Sequence, residues 1–198
     1  MEMINKNVKQ VMLQPLKREH IALKIKGITP LLMEKLPMEV VERYDKKKSK
    51  QMSSKDDKSE EEKLQDKTYY TEDGNVGFPA SGFAKGMVEV APYIDGLDKK
   101  KVRGSVRILG NIIPINFKKQ TVNKSYGKTS GRTKSPRLIL RPEYQDWSCE
   151  LQIVYNKTNI SMEQIINLIN WAGFQMGLGG FRPACGGSYG QYEVMKNG

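Results

Sequence analysis

Residues 147–155 read WSCELQIVY, and this stretch decides the fold. Five of its nine residues form one alternating apolar row: Trp147, Cys149, Leu151, Ile153 and Tyr155. Because successive side chains of a β-strand point to opposite faces, an apolar row with a period of two predicts a strand with one buried face. We therefore expect the core of the protein to be built on this strand.

A helix is predicted directly after this strand. Ser161 and Gln164 have the spacing of a capping box, and isoleucines on either side occupy the positions of a hydrophobic staple. An apolar stripe continues along one face through Ile165, Ile169 and Ala172. The pattern predicts a helix that ends at Gly173, followed by a last strand near residues 189–195.

Two further elements are predicted upstream. The sequence HIALKIKG, residues 20–27, alternates Ile and Leu with Ala and Lys, which indicates a half-buried strand. The sequence FPASGFAKGMVEVAP, residues 78–92, has apolar residues at helical spacing, with Ser81 as the expected N-cap and a proline as its stop. Gly82 and Gly86 leave a bare stripe on this helix, for which tight packing against a sheet is a better explanation than approach of a ligand.

Short strands are predicted between the upstream helix and the central strand. Residues 102–109 alternate valine and isoleucine with serine and arginine, so one face of this strand is expected to carry Arg103 and Arg107. Residues 112–117 are a second apolar run, whose proline favours an edge position or a bulge. Residues 137–141 are predicted to form a short strand bracketed by prolines.

Two segments are predicted to lie outside the core. Residues 45–67 hold eight lysines and seven acidic residues, which indicates a solvated helical or disordered insertion. Residues 118–136 are polar, basic and contain glycine and serine, which predicts a long mobile loop. With insertions at 28–77 and 118–136, the 198 residues are expected to form a single α+β domain, and the order of elements is compatible with a ferredoxin-like or RRM-like βαββαβ core.

The positive charge of the chain is concentrated in one block. Residues Lys99 to Arg141 include thirteen Lys and Arg and no Asp or Glu, whereas the whole chain has 33 basic and 22 acidic residues. Outside the block the balance is therefore 20 basic against 22 acidic residues. Such a block must be solvated or neutralised by an anion, because burying unpaired cations is costly. It predicts a surface that binds a phosphate backbone, and the alternative is a solvated basic face.

A glycine-rich segment near the C-terminus is the second candidate contact. Six glycines lie between residues 177 and 190, and the backbone N–H groups of such a loop can approach a phosphate or base closely. Phe181, Tyr189 and Tyr192 are possible stacking surfaces, the alternative being a structural loop with its aromatic rings in the core. The residues expected to bind nucleic acid are Lys99, Lys100, Lys101, Arg103, Arg107, Lys118, Lys119, Lys124, Tyr126, Lys128, Arg132, Lys134, Arg137, Gly179, Gly180, Arg182, Gly186, Gly187 and Tyr189.

Other kinds of site have little support. The glycine-rich segment lacks the Lys-Ser/Thr ending of a P-loop and precedes a strand, which argues against both standard nucleotide-binding fingerprints. His20 is the only histidine, and Cys149 and Cys185 belong to no CxxC motif, so we expect no metal and no cofactor, while a disulfide stays open. Apolar runs are too short to span a bilayer and the first residues lack an apolar signal core, so a cytoplasmic protein is expected.

Two of these motifs carry a resemblance to a known family. The sequence FPASGFAKGM resembles the helix start of the RAMP superfamily, which includes the backbone subunits that polymerise along guide RNA in CRISPR effector complexes, and GLGGFRPACGGSYGQYEV resembles its C-terminal glycine-rich loop. The matching positions are Pro79, Ser81 and Lys85 in the helix and Gly177, Gly179, Gly180, Gly186, Gly187 and Gly190 in the loop. Together with RP, W, NISMEQI and WAG, the motifs are also similar to a group of bacteriophage proteins, for which the compartment would be the host cytoplasm.

The charge block and the resemblance together imply a non-enzymatic protein that binds single-stranded RNA or DNA. The resemblance also implies assembly as a homo-oligomer or filament along the strand. One alternative is a metal-independent endoribonuclease with His20, Tyr126 and lysines in acid–base roles. Another is a phage inhibitor that mimics a subunit of a host effector complex and binds that complex. No membrane partner is expected.

Overall fold

The computed structural model describes residues 16–36, 58–128 and 136–195 of the chain, and the side chains of Lys128 and Arg137 are not described. These residues form a mixed α+β structure with ten strands and four α-helices. The strands are β1 Arg18–Gly27, β2 Leu31–Leu32, β3 Tyr69–Tyr70, β4 Val76–Pro79, β5 Val106–Ile108, β6 Ile112–Pro114, β7 Lys119–Lys128, β8 Pro136–Gln145, β9 Ser148–Asn156 and β10 Tyr192–Val194. The helices are α1 Glu60–Asp66, α2 Ala80–Val90, α3 Lys99–Ser105 and α4 Met162–Gln175, with 3-10 turns at Ala91–Tyr93 and Pro183–Cys185.

The principal sheet has the strand order β10-β1-β9-β5 and is antiparallel throughout. The predicted strands at 20–27 and 147–155 are its two central members, β1 and β9, and the predicted apolar row of β9 is buried. Apolar residues of this face pack in one core with α2 and α4, which contribute Phe83, Met87, Ile165 and Ile169. The alternating pattern of the sequence therefore identified the centre of the fold.

The other face of the principal sheet, here called the open sheet face, is polar. Its side chains come from the alternate positions of the same strands and are exposed or half-buried: Arg18, His20, Ala22, Lys24, Lys26, Arg107, Ser148, Glu150, Gln152, Val154, Asn156 and Glu193. Strands that bury only one face alternate in this way because the second face remains in water.

Helix α4 begins as predicted but ends later. Ser161 Oγ accepts from the backbone N–H of Gln164, and the side chain of Gln164 accepts from the backbone of Ser161. The helix runs on past Gly173 to Gln175, so the predicted end at Gly173 is wrong. A Cβ at residue 173 would lie 1.8 Å from the carbonyl oxygen of Tyr192, so this glycine is required by the close approach of β10.

Helix α2 starts two residues earlier than expected. Its N-cap is Pro79 and no side chain caps it, so the expected cap at Ser81 is wrong. The glycine stripe serves packing, as expected, but its partner at Gly86 is another helix and not a sheet. A Cβ at Gly86 would lie 3.2 Å from the Cβ of Ala172 in α4.

The first half of the strand predicted at 102–109 is a helix. Residues 99–105 form α3, whose N-cap Asp98 accepts a 2.7 Å hydrogen bond from the backbone N–H of Lys101, and only Val106–Ile108 form the strand β5. Val102 and Val106 are four residues apart, a spacing that fits a helix as well as a strand. The capping aspartate lies just outside the basic block and decides between the two. As a result Arg103 and Arg107 lie on different elements rather than along one strand face.

Residues 119–128 form a strand, β7, where a mobile loop was predicted. All ten residues pair in antiparallel register with β8, which runs from 136 to 145 and is twice as long as the predicted strand at 137–141. One of the prolines expected to bracket that strand, Pro142, lies inside it opposite Val122. Polar residues occupy both faces of β7, so the alternation of apolar residues that reveals a strand is missing from its sequence.

Two smaller features position the remaining elements. Two more sheets accompany the principal sheet, with the strand orders β2-β8-β7 and β3-β4-β6. The strand β6 pairs with β4 and forms an edge of the latter, which agrees with the edge position or bulge expected from its proline. The described part of the charged segment, residues 58–67, contains α1, none of whose residues is buried. Residues 45–57 of the same segment, and residues 129–135 of the predicted loop, lie outside the described residues.

Candidate nucleic-acid interface

The first group of cations surrounds a cavity between α2, α3 and β5, here called the α2–α3 cavity. Its volume is about 600 Å³. The floor is apolar and is formed mainly by Ala84, Met87, Val88, Val102, Val106 and Ile108. The polar residues that line it are Ser81, Lys85, Glu89, Arg103, Arg107 and Asn111. An apolar floor with a few converging polar groups is the usual composition of a ligand site.

The charge of the α2–α3 cavity is positive. Glu89 is the one carboxylate among its lining residues, and it forms an ion pair with Lys99 at 2.5 Å. No carboxylate of the described residues forms an ion pair with Lys85, Arg103 or Arg107. Three exposed cations thus face one cavity whose only acid is already compensated.

Arg107 is held in place by the backbone of its own region. Its Nη1 donates to the carbonyl oxygen of Arg103 at 2.5 Å and to that of Val106 at 2.8 Å. The remaining guanidinium donors form no hydrogen bond with described residues and can contact an anion. The helix α3 and the short strand β5 therefore bring together two arginines that the sequence placed on one strand face.

The rest of α3 contributes charge outside the cavity. Lys99 pairs with Glu89, and the Nζ of Lys101 donates to the carbonyl oxygen of Gly96 at 2.9 Å. Lys100 is exposed and lines none of the cavities considered in this section. Of the five basic residues predicted between 99 and 107, two thus line the α2–α3 cavity.

The second group of cations lies on the β7–β8 hairpin, and part of its charge is compensated. Lys124 pairs with Glu60 of α1 at 3.1 Å, and Lys118 with Asp146 at 3.6 Å. Lys119 is exposed, and Tyr126, on the same strand, has 83% of its surface in solvent. Among the other predicted contacts, Arg132 and Lys134 lie outside the described residues, as do the side chains of Lys128 and Arg137.

Arg141 ends the basic block and is buried. Only 7% of its surface is exposed, its Nη2 donates to Glu34 Oε1 at 2.9 Å, and its Nη1 donates to Ser125 Oγ at 2.9 Å. Its guanidinium also lies 4.6 Å from the centroid of the Phe181 ring. These contacts join β8, β7 and the glycine-rich segment, so Arg141 has a structural role and its charge is matched within the protein.

The glycine-rich segment uses its own backbone donors internally. The N–H groups of Gly180, Gly186, Gly187 and Gly190 donate to carbonyl oxygens of Leu32, Pro183, Arg182 and Pro30. A Cβ at Gly179, which has φ +72°, would lie 2.0 Å from the carbonyl oxygen of Leu32. These four N–H groups are engaged in the fold and are therefore not available to bind a phosphate.

The side chains of this segment are divided between structure and surface. Tyr192 is 1% exposed and belongs to the core, which agrees with the alternative of a structural loop for this residue. Tyr189 is half-buried and its hydroxyl accepts from Asn123 Nδ2 at 3.4 Å. Arg182 Nη1 donates to the carbonyl oxygen of Gly179 at 3.0 Å, and Phe181 is 44% exposed.

The glycine-rich segment does not line the α2–α3 cavity. A cavity of about 410 Å³ adjoins the glycine-rich segment and is lined by Glu34, Tyr69, Phe78, Arg141, Gly179, Gly180, Phe181, Arg182 and Cys185. It shares no lining residue with the α2–α3 cavity. In the principal sheet, β5 and β10 form opposite edges, which separates Arg107 from the strand that follows the glycine-rich segment.

The sequence identified the basic block, but it did not identify every cation that lies near the two arginines in the structure. Lys85 entered only through the family resemblance, yet it faces the same cavity as Arg103 and Arg107. Arg18, at the start of β1, is another exposed cation that no motif identified. No local signal in the sequence connects these residues, because their elements become neighbours only in the folded chain.

Three findings concern the cysteines, metal ligands and membrane-spanning helices. Both cysteines are unpaired, Cys149 buried and Cys185 exposed, and burial raises the pKa of the Cys149 thiol to about 12. Within the described ranges no group of three or more His, Cys, Asp or Glu residues could hold a metal ion. In the same ranges, none of the helices has both the length and the apolar character that crossing a membrane requires.

Comparison with known proteins gives little. No family model matches the chain, and no curated protein matches it. Among solved structures, the crystal structure of Cmr6 from Pyrococcus furiosus is similar to this chain, with 8% sequence identity and a TM-score of 0.42. The match covers 91% of this chain and 100% of the Cmr6 chain. A likeness at this TM-score is too weak to establish a shared fold or to indicate what this chain binds.

Proposed function

We propose that this protein is a non-enzymatic binder of single-stranded nucleic acid, that the α2–α3 cavity is its principal contact, and that copies assemble along the strand. The observation that carries the proposal is the convergence of Lys85, Arg103 and Arg107 on one cavity with an apolar floor and a compensated acid. Each nucleotide offers the complementary combination, an anionic phosphate next to a base with apolar faces.

Single strands fit this surface better than duplexes do. An apolar floor can contact a base only where the base is unpaired and turned outward, which is the usual way in which proteins read single-stranded RNA and DNA. The cations at the rim then hold phosphates of the same segment.

We also assign the core to the ferredoxin-like class. The strand order β10-β1-β9-β5, with α2 between β1 and β5 in the chain and α4 between β9 and β10, is consistent with a βαββαβ unit. Residues 28–77 and 109–147 would then be additions to that unit. In this arrangement α2 and β5, which carry Lys85 and Arg107, belong to the βαββαβ unit, and α3, which carries Arg103, lies between them in the chain.

A salt titration tests the proposal. Affinity for a fluorescent single-stranded oligonucleotide is measured by polarisation at several salt concentrations, and log affinity should fall linearly with log salt, by about 0.7 per neutralised phosphate. Binding that is absent, or insensitive to salt, would show that the cavity does not bind a phosphate backbone.

Matched variants locate the contact. Arg103→Ala and Lys85→Ala should each weaken binding about tenfold, since each removes a charge-assisted hydrogen bond to phosphate. Lys118→Ala removes the same charge from the hairpin, where the side chain is 82% exposed, and should change affinity less than twofold. Equal losses in all three variants would indicate a diffuse basic surface and contradict a site at the cavity.

Assembly along the strand is tested separately. Electron microscopy and sedimentation with and without a long single strand should show regular multimers only when the strand is present. Single bound copies at saturating protein would contradict assembly and leave the binding site in place.

RNA cleavage is the competing function. His20 and Tyr126, the acid–base pair suggested for it, lie in different sheets, and none of the cavities described above is lined by both. Incubation with end-labelled RNA in a metal chelator should leave the RNA intact. Cleavage that disappears in His20→Ala would replace the binding proposal with an enzymatic one.

A further inference from the structure

A second cationic cavity lies at the edge of the open sheet face, and it adjoins Arg107 as the α2–α3 cavity does. This sheet-edge cavity has a volume of about 490 Å³. Its polar lining includes Arg18, His20, Ser105, Arg107 and Asn156, and its apolar lining includes Leu16, Leu109 and Val154. Arg107 also lines the α2–α3 cavity, so the two cavities share this residue.

The strand register brings the cations of this cavity together. Arg18 lies opposite Asn156, while His20 and Arg107 lie on either side of Val154, one on β1 and the other on β5. The backbones of β1 and β5 are two strand spacings apart, which is about 10 Å. Long side chains that rise from both strands can therefore reach one ligand placed above Val154.

The charge of the open sheet face is unbalanced at this end. Further along the sheet, Lys24 lies opposite Glu150 and Lys26 opposite Glu193, so cations and acids alternate there. No Asp or Glu is among the residues that line the sheet-edge cavity. Glu19, the neighbour of Arg18 in sequence, is on the other face of β1 and accepts from the Tyr155 hydroxyl at 2.6 Å and from Lys157.

The charge of the cavity indicates the chemical class of its ligand. Arg18 and Arg107 supply two positive charges, and His20 and Asn156 add hydrogen-bonding groups. A phosphomonoester carries about −1.5 to −2 at neutral pH, which matches two guanidinium groups. A phosphodiester inside a strand carries one negative charge, so the better match is to a phosphate at a strand end or on a free nucleotide.

We infer that the sheet-edge cavity binds the terminal phosphomonoester of a nucleic-acid strand, with the terminal sugar or base against Leu109 and Val154. This inference rests on the proposed function for the path of the strand, because the next nucleotides pass Arg107 to reach the α2–α3 cavity. The protein would then bind the end of a strand in the sheet-edge cavity and the following nucleotides in the α2–α3 cavity.

The test compares three oligonucleotides of one sequence that carry a 5′-phosphate, a 3′-phosphate or hydroxyl groups at both ends. The unmodified protein should bind one of the two phosphorylated forms about tenfold more tightly than the hydroxyl form. Arg18→Ala should abolish this advantage while leaving affinity for the hydroxyl form unchanged. Arg103→Ala should weaken binding of all three forms and keep the advantage. Equal affinity for the three forms, or an advantage that persists in Arg18→Ala, would overturn the inference.

Two further measurements keep the outcome clear. Arg18→Lys should retain part of the advantage, which excludes a loss caused by misfolding, and circular dichroism should show unchanged melting for both Arg18 variants. Titration with a nucleoside monophosphate separates the two proposals. Binding of the monophosphate that is lost in Arg18→Ala, without binding of any oligonucleotide, would support the sheet-edge cavity and reject the proposed function. Oligonucleotide binding without an end preference would support the proposed function and reject the assignment of the sheet-edge cavity.

Discussion

Two parts of the molecule carry clustered cations, and the fold treats their charge differently. Around the α2–α3 cavity, Lys85, Arg103 and Arg107 face a common space without an acidic partner. On the β7–β8 hairpin, Lys124 and Arg141 are paired with Glu60 and Glu34. The basic block of the sequence contributes to both regions, which teaches that charge density along a chain does not itself define a binding surface. What matters is which cations the fold leaves uncompensated.

The largest effect is expected on the hairpin, where replacement of Arg141 should destabilise the protein. Arg141→Met removes an ion pair and a hydrogen bond that hold β7, β8 and the Glu34 segment together. We expect the free energy of unfolding, measured in denaturant, to fall by about 2 kcal/mol, a value typical of lost charged hydrogen bonds to a partly exposed partner.

The affinity of the same variant for nucleic acid tests whether Arg141 contacts the ligand. Affinity of folded Arg141→Met for a single-stranded oligonucleotide should change less than twofold, because this guanidinium is engaged within the protein. A large loss of affinity at unchanged stability would mean that Arg141 contacts the ligand and that the two regions are alike. Glu34→Gln is the matched control, since it removes the same ion pair from the other side.

An effect of opposite kind is expected at the α2–α3 cavity. Arg103→Ala should lower affinity about tenfold, or about 1.4 kcal/mol, whereas its free energy of unfolding should change by no more than about 0.5 kcal/mol because the side chain is exposed. Denaturant unfolding and polarisation on the same protein give both numbers. If Arg103→Ala costs stability and not affinity, the proposed division between a binding region and a structural region is reversed.

The smallest effect concerns the two cysteines, which lie outside both groups of cations. Cys149 lies in β9 of the principal sheet, where burial raises its pKa to about 12, and Cys185 is exposed beside the glycine-rich segment. A thiol reagent at neutral pH should label one thiol per native chain and both after unfolding, because the thiolate is the reactive form. Cys185→Ser should remove the native labelling. Rapid labelling of Cys149 in the native protein would show that the principal sheet opens more readily than its burial indicates.

The sequence predicted the elements that bury one face and missed those that do not. In β1 and β9, alternation of apolar residues follows directly from the burial of one side of the sheet, so both strands were located correctly. The capping box of α4 is equally local, and it too was correct. The strand β7 escaped because its stabilising contacts, from Thr121 and Asn123 to Glu143, involve polar side chains of a strand that lies further along the chain.

The candidate site was predicted in the same uneven way. Arg103 and Arg107 were chosen for their spacing on one face of an expected strand, but they lie on different elements, since the Asp98 cap turns the first part of that strand into a helix. The glycines were chosen for backbone access, and in the structure their N–H groups bind the carbonyl oxygens of Leu32, Pro30 and neighbouring turns. A composition rich in glycine cannot distinguish close approach of a ligand from close approach of the protein's own backbone.

The sequence by itself determined the central strand at 147–155, the helix that follows it and the presence of a strongly basic block. Those features depend on periodicity and on neighbours a few residues away. Only the tertiary structure decided which cations are available to a ligand, because their partners are distant in the chain: Glu34 is 107 residues from Arg141, and Glu60 is 64 residues from Lys124. Charge is a property of composition, but compensation depends on contacts, and contacts between distant segments exist only after folding.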